Sequence, residues 1–311
     1  MQNRIANTKT YRNHKQLDEI NTRVRTDPAG FVAACEALYE STLAQIAGKI
    51  LASPSNVVML AGPSGSGKTT TARKLAEHLA RSGVRTHTVE LDDYFLPLDR
   101  SDLTIDWESP ERLDITRLSD DLAALERGEE VLLPCFDFTT GMRTDEQIPL
   151  RVGHGEIAIF EGIHALNDAV CAASHPVTLY CSARMRVRDE THVIFRPEWM
   201  RFLRRGVRDG LFRNTALSHT LQRWPDVLQG EQAYIQPFKY RAQIMLDTSF
   251  DYEVNLLAPI ALEEVEKLDR GALKGLRMGQ LSETMKRFEP LDTRFVPEDS
   301  LLREFIGGCG V

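Results

Sequence analysis

Hydrophobic residues in this chain form short continuous runs that alternate with longer stretches of helical periodicity. Apolar residues at helical spacing predict helices over 29–53, 68–82 and 114–128. Strands that alternate with helices are typical of an α/β fold with a parallel sheet flanked by helices. The short apolar runs expected to form the buried strands lie at 56–60, 86–93, 131–138, 156–162, 177–183 and 251–257.

The same patterning divides the chain into segments of different character. Residues 1–28 are polar and mildly basic, which predicts a solvated N-terminal arm, and residues 29–263 carry the predicted α/β domain. Within that domain, residues 184–240 are rich in arginine, tryptophan and phenylalanine and show no clear strand, so we expect a lid. Residues 264–311 are predicted to form a helical C-terminal extension.

The segment AGPSGSGKTT, residues 61–70, lies between a predicted buried strand and a predicted helix. Its spacing fits G-x-x-x-x-G-K-[ST], the pattern of a phosphate-binding loop. Glycines allow backbone N–H groups to turn toward an anion where a Cβ would collide, and the helix that follows adds its positive dipole end. We therefore expect a nucleoside triphosphate to bind Gly62, Pro63, Ser64, Gly65, Ser66, Gly67, Lys68, Thr69 and Thr70.

Acidic residues follow two of the predicted strands. Glu161 closes the run at 156–162, and Asp92 and Asp93 close the run at 86–93. Because ligands of open parallel sheets bind at the carboxyl ends of the strands, these acids should lie near the phosphate-binding loop. There Glu161 and Asp92, with the Thr69 hydroxyl, can hold magnesium, and an aspartate can accept a proton from an attacking hydroxyl. A single acid at a strand end is otherwise typical of a turn or a helix cap.

Composition and charge narrow the class of function. The 311-residue chain has a net charge of −7, which does not favour nucleic-acid binding. Its five cysteines include no C-x-x-C pair, as expected for reduced thiols rather than for disulfides or a zinc site. The sequence contains no signal-peptide pattern and no long apolar run, so we expect a cytoplasmic protein without a membrane partner.

Four arginines recur in the predicted lid. Arg201, Arg204, Arg205 and Arg208 are placed at helical spacing, so they share one face of a helix. A stripe of this kind is equally typical of a solvated surface with salt bridges. A phosphotransferase, however, needs arginines that close over the triphosphate and exclude water.

Several motifs follow one another in a fixed order: GPSGSGKTT, LDDYF, DWESPERLD, FDFTTGMR, FEGIHAL and RRGVRD. Their order and spacing resemble those of the uridine kinase and phosphoribulokinase family, most closely a bacterial branch of uridine kinase-like nucleoside kinases. RWPDVLQGEQAYIQPF and LLREFIGG also have counterparts there, so the resemblance covers roughly residues 30–309. It implies a P-loop NTPase fold, ATP as the phosphoryl donor with Mg²⁺, and a homo-oligomer.

The resemblance also implies a catalytic set. Asp92 corresponds to the catalytic aspartate that follows the second strand. Glu161 corresponds to the metal-associated glutamate. Arg204 and Arg208 correspond to lid arginines that act with Lys68 on the phosphates.

For the acceptor, the resemblance implies that Glu108 grips the ribose hydroxyls and that aromatic residues pack near the base. Without the family, the aromatic residues would be assigned to an ordinary core and the DWESP segment to a surface turn. The residues implied to bind the acceptor are Asp93, Trp107, Glu108, Phe136, Phe138, Arg143 and Arg205.

One position departs from the family pattern. Uridine and cytidine kinases have a histidine in the F-x-x-H-x-R part of the aromatic motif, where it helps to read the pyrimidine, and this chain has Gly141 there. A site without that buried polar group cannot strongly reject other bases. We therefore expect either a broad base preference or acceptance of purine nucleosides.

The predicted function is an ATP- and magnesium-dependent kinase that phosphorylates a nucleoside hydroxyl, namely the ribose 5′-hydroxyl. Two alternatives stay open. The acceptor could be another small hydroxyl metabolite, such as a sugar phosphate or a vitamin, or the chain could be a nucleotide-binding regulator without turnover. The joint presence of Lys68, Thr69, Asp92 and Glu161 argues against the regulator.

Overall fold

The computed structural model of the protein describes residues 5–6, 13–97, 106, 108–137, 140–170 and 175–308. The strands are Ile5–Ala6 (β1), Asn13–Gln16 (β2), Val57–Ala61 (β3), Thr86–Glu90 (β4), Glu130–Asp137 (β5), Met142–Arg151 (β6), Ile157–Glu161 (β7), Val177–Ser182 (β8), Met185–Arg188 (β9), Val193–Phe195 (β10) and Ile244–Asp247 (β11). The α-helices are Leu17–Thr26 (α1), Pro28–Leu51 (α2), Lys68–Arg81 (α3), Ile115–Glu126 (α4), Pro197–Phe212 (α5), Leu217–Gly230 (α6), Glu253–Glu266 (α7), Arg270–Gly275 (α8), Leu281–Met285 (α9) and Arg303–Ile306 (α10).

Five parallel strands form the centre of the molecule in the order β11–β8–β3–β7–β4, and the short β1 pairs antiparallel with β11. Strands β3, β7 and β8 read VVMLA, IAIFE and VTLYCS, and every residue in them is buried. Continuous apolar runs of this kind fit strands that are covered on both faces. The predicted α/β fold with a parallel sheet is confirmed.

The register of the sheet brings two acids together at its carboxyl edge. Leu60 on β3 pairs with Glu161 on β7, and Glu161 also pairs with Glu90 at the end of β4. Strand β3 runs directly into the glycine-rich loop, from which α3 begins at Lys68. The phosphate-binding loop and two glutamates therefore share one edge of the sheet.

Helices cover both faces of the sheet. Helix α2 begins where the Asp27 carboxylate accepts a hydrogen bond from the Gly30 backbone N–H and Pro28 occupies the first turn. Helices α2, α3, α5 and α7 contribute to the larger apolar core. Helix α4 and strands β5 and β6 contribute to a smaller core. The three helices predicted from periodicity correspond to α2, α3 and α4.

The apolar run predicted as a strand at 131–138 does not join the parallel sheet. It forms β5, which pairs antiparallel with β6 in a two-stranded hairpin. The connecting turn includes Gly141 at a φ of +74°, a left-handed conformation that glycine adopts without strain. A short apolar run indicates a strand but not its pairing partner, so only the tertiary structure decides the pairing.

Two expectations for the C-terminal half are wrong. The run at 251–257 lies mostly in helix α7, and the last parallel strand is β11, which ends at Asp247. The pattern of residues 184–240 predicts no clear strand, yet the region contains β9 and β10, which form a small sheet with β2. Short buried segments of helix and strand are both continuously apolar, so periodicity does not separate them.

Part of the predicted N-terminal arm is folded into the molecule. Strand β2 pairs parallel with β9, and Leu17, Ile20 and Val24 on α1 are buried in the larger core. The predicted lid also contributes to that core, since Phe202 and Leu203 on α5 are completely buried. Within the described residues, none of the helices combines the length and the hydrophobicity that a membrane-spanning segment needs.

Candidate active site

The glycine-rich loop after β3 is packed too tightly for side chains at its glycines. A Cβ at Gly62 would lie 2.4 Å from the carbonyl oxygen of Cys181. Gly65 and Gly67 have φ values of +73° and +77°, which side chains disfavour. The loop then passes directly into α3. This is the backbone arrangement that binds phosphate at a helix N-terminus.

Lys68 lies among acidic side chains at the start of α3. Burial raises the pKa of Asp92, Glu161, Glu108 and Glu90, and the Lys68 ammonium opposes this rise in all four cases. The pKa reaches about 7 for both Glu161 and Glu108. Carboxyl groups with raised pKa values around one cation are typical of a functional site.

The three residues predicted to bind magnesium lie close to one another. The Thr69 hydroxyl donates a hydrogen bond to the Glu161 carboxylate. After burial and Lys68, the charge of Asp92 is the next largest influence on the pKa of Glu161, which it raises. Magnesium binds hydroxyl, carboxylate, water and phosphate oxygens. Thr69, Glu161 and Asp92 therefore fit such a site chemically.

Helix α5 presents arginines to the phosphate-binding loop. Arg205 donates a hydrogen bond to the Ser64 hydroxyl at 3.1 Å, and Arg201 donates one to the Ser64 carbonyl at 3.4 Å. Arg201 also forms a buried ion pair with Glu231 at 2.6 Å. The structure thus brings these two arginines of the predicted stripe to the same loop residue.

Arg204 is completely buried behind the loop. Its guanidinium pairs with both carboxylate oxygens of Glu253, donates to the Gly65 carbonyl at 3.1 Å and donates to the carbonyl and hydroxyl of Thr248. These bonds engage all five N–H donors of the side chain. The arginine predicted to act on the phosphates therefore supports the loop from behind in this structure, with no donor left for a phosphate.

Arg208 makes its hydrogen bonds to the neighbouring Asp209, at 2.8 and 2.9 Å. Burial raises the pKa of Asp92, and the charges of Arg213 and Arg208 act to lower it. Both arginines are therefore within electrostatic reach of the predicted catalytic aspartate. The sequence analysis missed the effect of Arg213 on the pKa of Asp92, because Arg213 does not continue the spacing of the arginine stripe.

Asp93 and Arg143, predicted to bind the acceptor, connect the turn after β4 to the hairpin. The Asp93 carboxylate accepts a hydrogen bond from the Phe136 backbone N–H at 3.2 Å. Arg143 donates to the carbonyls of Tyr94 and Phe95, both at 3.1 Å. The two side chains thus hold one wall of the site together. The Phe136 ring packs in that wall, 5.8 Å from the Phe95 ring.

Glu108 packs against α6, because a Cβ at Gly230 would lie 2.1 Å from the Cβ of Glu108. Burial raises the pKa of Glu108 to about 7, while nearby Arg205 and Lys68 lower it. The acid predicted to hold the ribose is therefore within electrostatic reach of the phosphate-binding loop. Two other predicted contacts, Trp107 and Phe138, lie outside the described residues.

The sequence model of the Phosphoribulokinase / Uridine kinase family matches residues 57–254. The chain belongs to this family. The matched residues include the phosphate-binding loop, the acids at the strand ends and the arginines of α5. Membership supports phosphotransferase activity and a P-loop kinase fold.

The chain is also similar to individual proteins. Uridine kinase from Staphylococcus haemolyticus (strain JCSC1435) is 27% identical over 201 residues, which cover 62% of this chain and 87% of that protein. A solved "Possible Uridine Kinase" from Bacillus stearothermophilus has a TM-score of 0.47 and 17% identity, covering 66% of this chain and 97% of that chain. A structure named for a fructose transport system kinase from Silicibacter sp. TM1040 has a TM-score of 0.44 and 21% identity. The match covers 65% of this chain and 93% of that chain.

The C-terminal segment lies beyond the matched residues and packs onto the phosphate-binding loop. A Cβ at Gly67 would lie 2.8 Å from the Leu301 side chain, which is completely buried. The Thr70 hydroxyl donates a hydrogen bond to the Glu304 carboxylate at 2.6 Å. The predicted C-terminal extension therefore forms part of the wall of the phosphate site.

Other residues of the site also escaped the sequence analysis. Glu90 and His164 lie next to motifs that were recognised, in HTVELDD and FEGIHAL. Glu90 is two residues from Asp92 and His164 is three residues from Glu161, so their positions in the sequence could have indicated that they belong to the site. Glu304 lies in LLREFIGG, but its contact with Thr70 carried no local signal, and neither did the contact of Glu253 with Arg204, because the partners are distant in the sequence.

Proposed function

We propose that the protein is a nucleoside kinase that transfers the γ-phosphoryl group of ATP to the ribose 5′-hydroxyl of a nucleoside. The observation that carries the proposal is the placement of Asp92 near Lys68, at the edge of the sheet where the phosphate-binding loop begins. Glu108 lies within electrostatic reach of both groups. One acid is thus available for the reacting hydroxyl and another for the sugar.

In the proposed reaction the acceptor oxygen attacks the γ-phosphorus, and its proton passes to the Asp92 carboxylate. The bond from the γ-phosphorus to the bridging β–γ oxygen breaks, and ADP leaves. Burial raises the pKa of Asp92, which makes its carboxylate a better proton acceptor than that of an exposed aspartate. Lys68 neutralises charge on the β- and γ-phosphates, and Arg205 and Arg208 add positive charge beside the loop.

Thr69, Glu161 and Asp92 are the residues that would hold Mg²⁺. When bound, the ion supplies positive charge to the phosphate oxygens. The hydrogen bond between the Thr69 hydroxyl and Glu161 keeps these two groups adjacent before the nucleotide enters.

Glu108 is proposed to accept hydrogen bonds from the ribose hydroxyls, which all nucleosides share. Phe136 offers an aromatic surface for a base, since its ring packs beside Phe95 at the end of the hairpin. Asp93 and Arg143 position this wall through their bonds to the backbone and do not need to touch the acceptor.

A screen of ADP release across acceptors tests the proposal. Purified protein with ATP and Mg²⁺ is assayed with uridine, cytidine, inosine, guanosine and adenosine, and with fructose phosphate and pantothenate as competing acceptor classes. We expect turnover with at least one nucleoside and a 5′-monophosphate product by ³¹P NMR. Turnover that depends only on a sugar or a vitamin would refute the nucleoside assignment, and ATP binding without any turnover would favour a regulator.

A further inference from the structure

His164 is a buried polar side chain for which the reaction described above has no role. It lies on the loop that follows Glu161 and is only 1% exposed. Neither of its ring nitrogens completes a hydrogen bond with any residue in the described part of the chain. A buried polar group left in this state destabilises a fold, so its presence at a site calls for a ligand or another explanation.

The surroundings of His164 place it on the acceptor side of the phosphate-binding loop. Its ring lies edge-on to Tyr234, with the ring centres 6.5 Å apart, and the Tyr234 hydroxyl is bonded to Asp106 at 2.8 Å. Lys68 also acts on the ring electrostatically. Asp106 and Lys68 also act on Glu108, the acid proposed to hold the ribose, whose backbone N–H donates a hydrogen bond to Asp106 at 3.0 Å.

The protonation state of His164 follows from the same surroundings. Burial lowers the pKa of His164 to about 4, against a smaller opposing effect of the Glu108 backbone carbonyl. The imidazole is thus neutral at physiological pH, with one nitrogen that donates and one that accepts. Whichever nitrogen lacks the proton is an acceptor without a partner among the described residues.

We propose that His164 is a specificity-determining residue of the acceptor site, whose free ring nitrogen accepts a hydrogen bond from a ring N–H of the nucleoside base. The inference rests on the proposed nucleoside kinase function and deepens it. Uracil, hypoxanthine and guanine each present a ring N–H beside a carbonyl. Cytosine and adenine present an unprotonated nitrogen at the equivalent place, which would meet the lone pair of His164.

This assignment gives the site a polar group that can recognise the base, on the loop after β7. Gly141 lies elsewhere, in the turn of the hairpin, and offers no side chain. A site that hydrogen-bonds an N–H rejects analogues that lack it, because the buried partner is then left unpaired. The expected preference is therefore for uridine, inosine and guanosine over cytidine and adenosine. The ring size of the base is a separate matter, set by the apolar walls.

The test compares matched acceptors in the parent protein and in His164→Leu, which keeps the bulk and removes the nitrogens. Uridine is paired with 3-methyluridine and inosine with 1-methylinosine, in which a methyl group replaces the ring N–H. In the unsubstituted protein, we expect the methyl group to lower kcat/KM at least about tenfold. In His164→Leu, the ratio of kcat/KM between each nucleoside and its methylated analogue should fall most of the way to one.

His87→Leu is the matched control, because His87 is bonded to Glu156 and pairs with Ala158 near the start of β7, at the opposite end of that strand from Glu161. It should preserve the ratio between each nucleoside and its methylated analogue. Thermal unfolding supplies a second readout. Replacing an unpaired polar group by an apolar one of similar volume should leave the Tm of His164→Leu unchanged or raise it.

The outcomes separate the two proposals. If the parent phosphorylates no nucleoside, the proposed function fails, and the inference about His164 fails with it. Nucleosides can be substrates while His164→Leu shows the same kcat/KM ratio between nucleoside and methylated analogue as the unsubstituted protein. In that case His164 does not recognise the base. A lower Tm with equal loss for both acceptors would assign the residue a structural role instead.

Discussion

The Arg204 guanidinium and the Glu253 carboxylate form a completely buried two-point ion pair, and Arg204 also holds the Gly65 carbonyl at 3.1 Å. Removal of one partner from a buried pair typically costs about 3–5 kcal/mol, because it leaves an uncompensated charge. Glu253→Gln should therefore lower the free energy of unfolding by about that amount in urea titrations. It should also raise KM for ATP, because the loop loses support from behind.

Arg208→Gln provides the contrast within the same helix. Arg208 is bonded to Asp209, which also pairs with Arg205 and Arg213, so loss of Arg208 does not leave the Asp209 charge uncompensated. We expect near-normal stability with reduced kcat. Equal effects of the two substitutions on kcat, with no change in stability for either, would contradict the supporting role given to Arg204.

Lys68→Ala tests the phosphate-binding loop. The substitution removes the point charge expected on the β- and γ-phosphates, and loss of one such group typically lowers kcat about 10²- to 10³-fold. Steady-state kinetics measure the change, and Arg73→Ala is a control on the exposed side of α3, where Arg73 pairs only with Glu77 among the described residues. Near-normal turnover in Lys68→Ala would place the ATP site elsewhere.

Asp92 and Asp93 are neighbours with different surroundings, so their asparagine variants should differ. Asp92 is near Lys68, and Asp92→Asn should bind ATP but lose at least about 10²-fold in kcat, since no carboxylate accepts the proton. Asp93 accepts the Phe136 N–H, so Asp93→Asn should keep more activity and lose about 1 kcal/mol of stability. Kinetics, ATP titration and urea unfolding measure the three quantities. The reverse ranking of kcat would exchange the two roles.

Glu108→Gln tests the electrostatic state of the proposed ribose acid. Burial raises the pKa of Glu108 from 4.5 to about 7 in the folded protein. Between these values the folded protein keeps a proton that the unfolded chain has released, so this residue's contribution to stability falls as the pH rises from about 4.5 to 7. The glutamine variant cannot ionise. It should be more stable than the parent at pH 8, and the difference should vanish near pH 4.

The pH profile of Glu108→Gln is measured by urea unfolding at several pH values. Glu129→Gln is the control, because the hydrogen bond from Arg127 lowers the pKa of Glu129, which lies at an exposed position. Its stability difference should have the opposite slope or none. A Glu108→Gln difference that does not change between pH 4 and 8 would show that the carboxylate is solvated.

Leu301→Ala tests the contact of the C-terminal segment with the phosphate-binding loop. Leu301 is completely buried against Gly67, and truncation of such a leucine typically costs about 2–5 kcal/mol. We also expect a higher KM for ATP, because the loop loses its packing partner. Leu51→Ala, at a 40% exposed position, should change neither quantity by much. Loss of stability without any change in ATP binding would separate the segment from the site.

Several features of the site follow from short stretches of sequence. The loop at 61–70 could be recognised because glycine conformations, the helix start and Lys68 are all specified within ten residues. Glu161 and Asp92 could be chosen because a parallel sheet brings the carboxyl ends of its strands to one edge. The order of the family motifs added the acceptor residues, such as Glu108, which local patterning would have placed in a surface turn.

Contacts between distant residues were decided only by the tertiary structure. Arg204 and Glu253 are 49 positions apart, and Thr70 and Glu304 are 234 positions apart, so no local pattern joins either pair. The stripe of arginines indicated one helix face, but only the packing of α5 against α7 assigns Arg204 to the protein interior.

The burial of His164 and the pairing of β5 with β6 have the same origin. Periodicity reports whether a residue is apolar and how it repeats, which is sufficient to define a helix or a buried strand. Which elements then become neighbours depends on how all the apolar faces are covered together. The sequence by itself therefore determined the phosphate-binding loop and the class of fold, and the packing of the whole chain determined which side chains surround them.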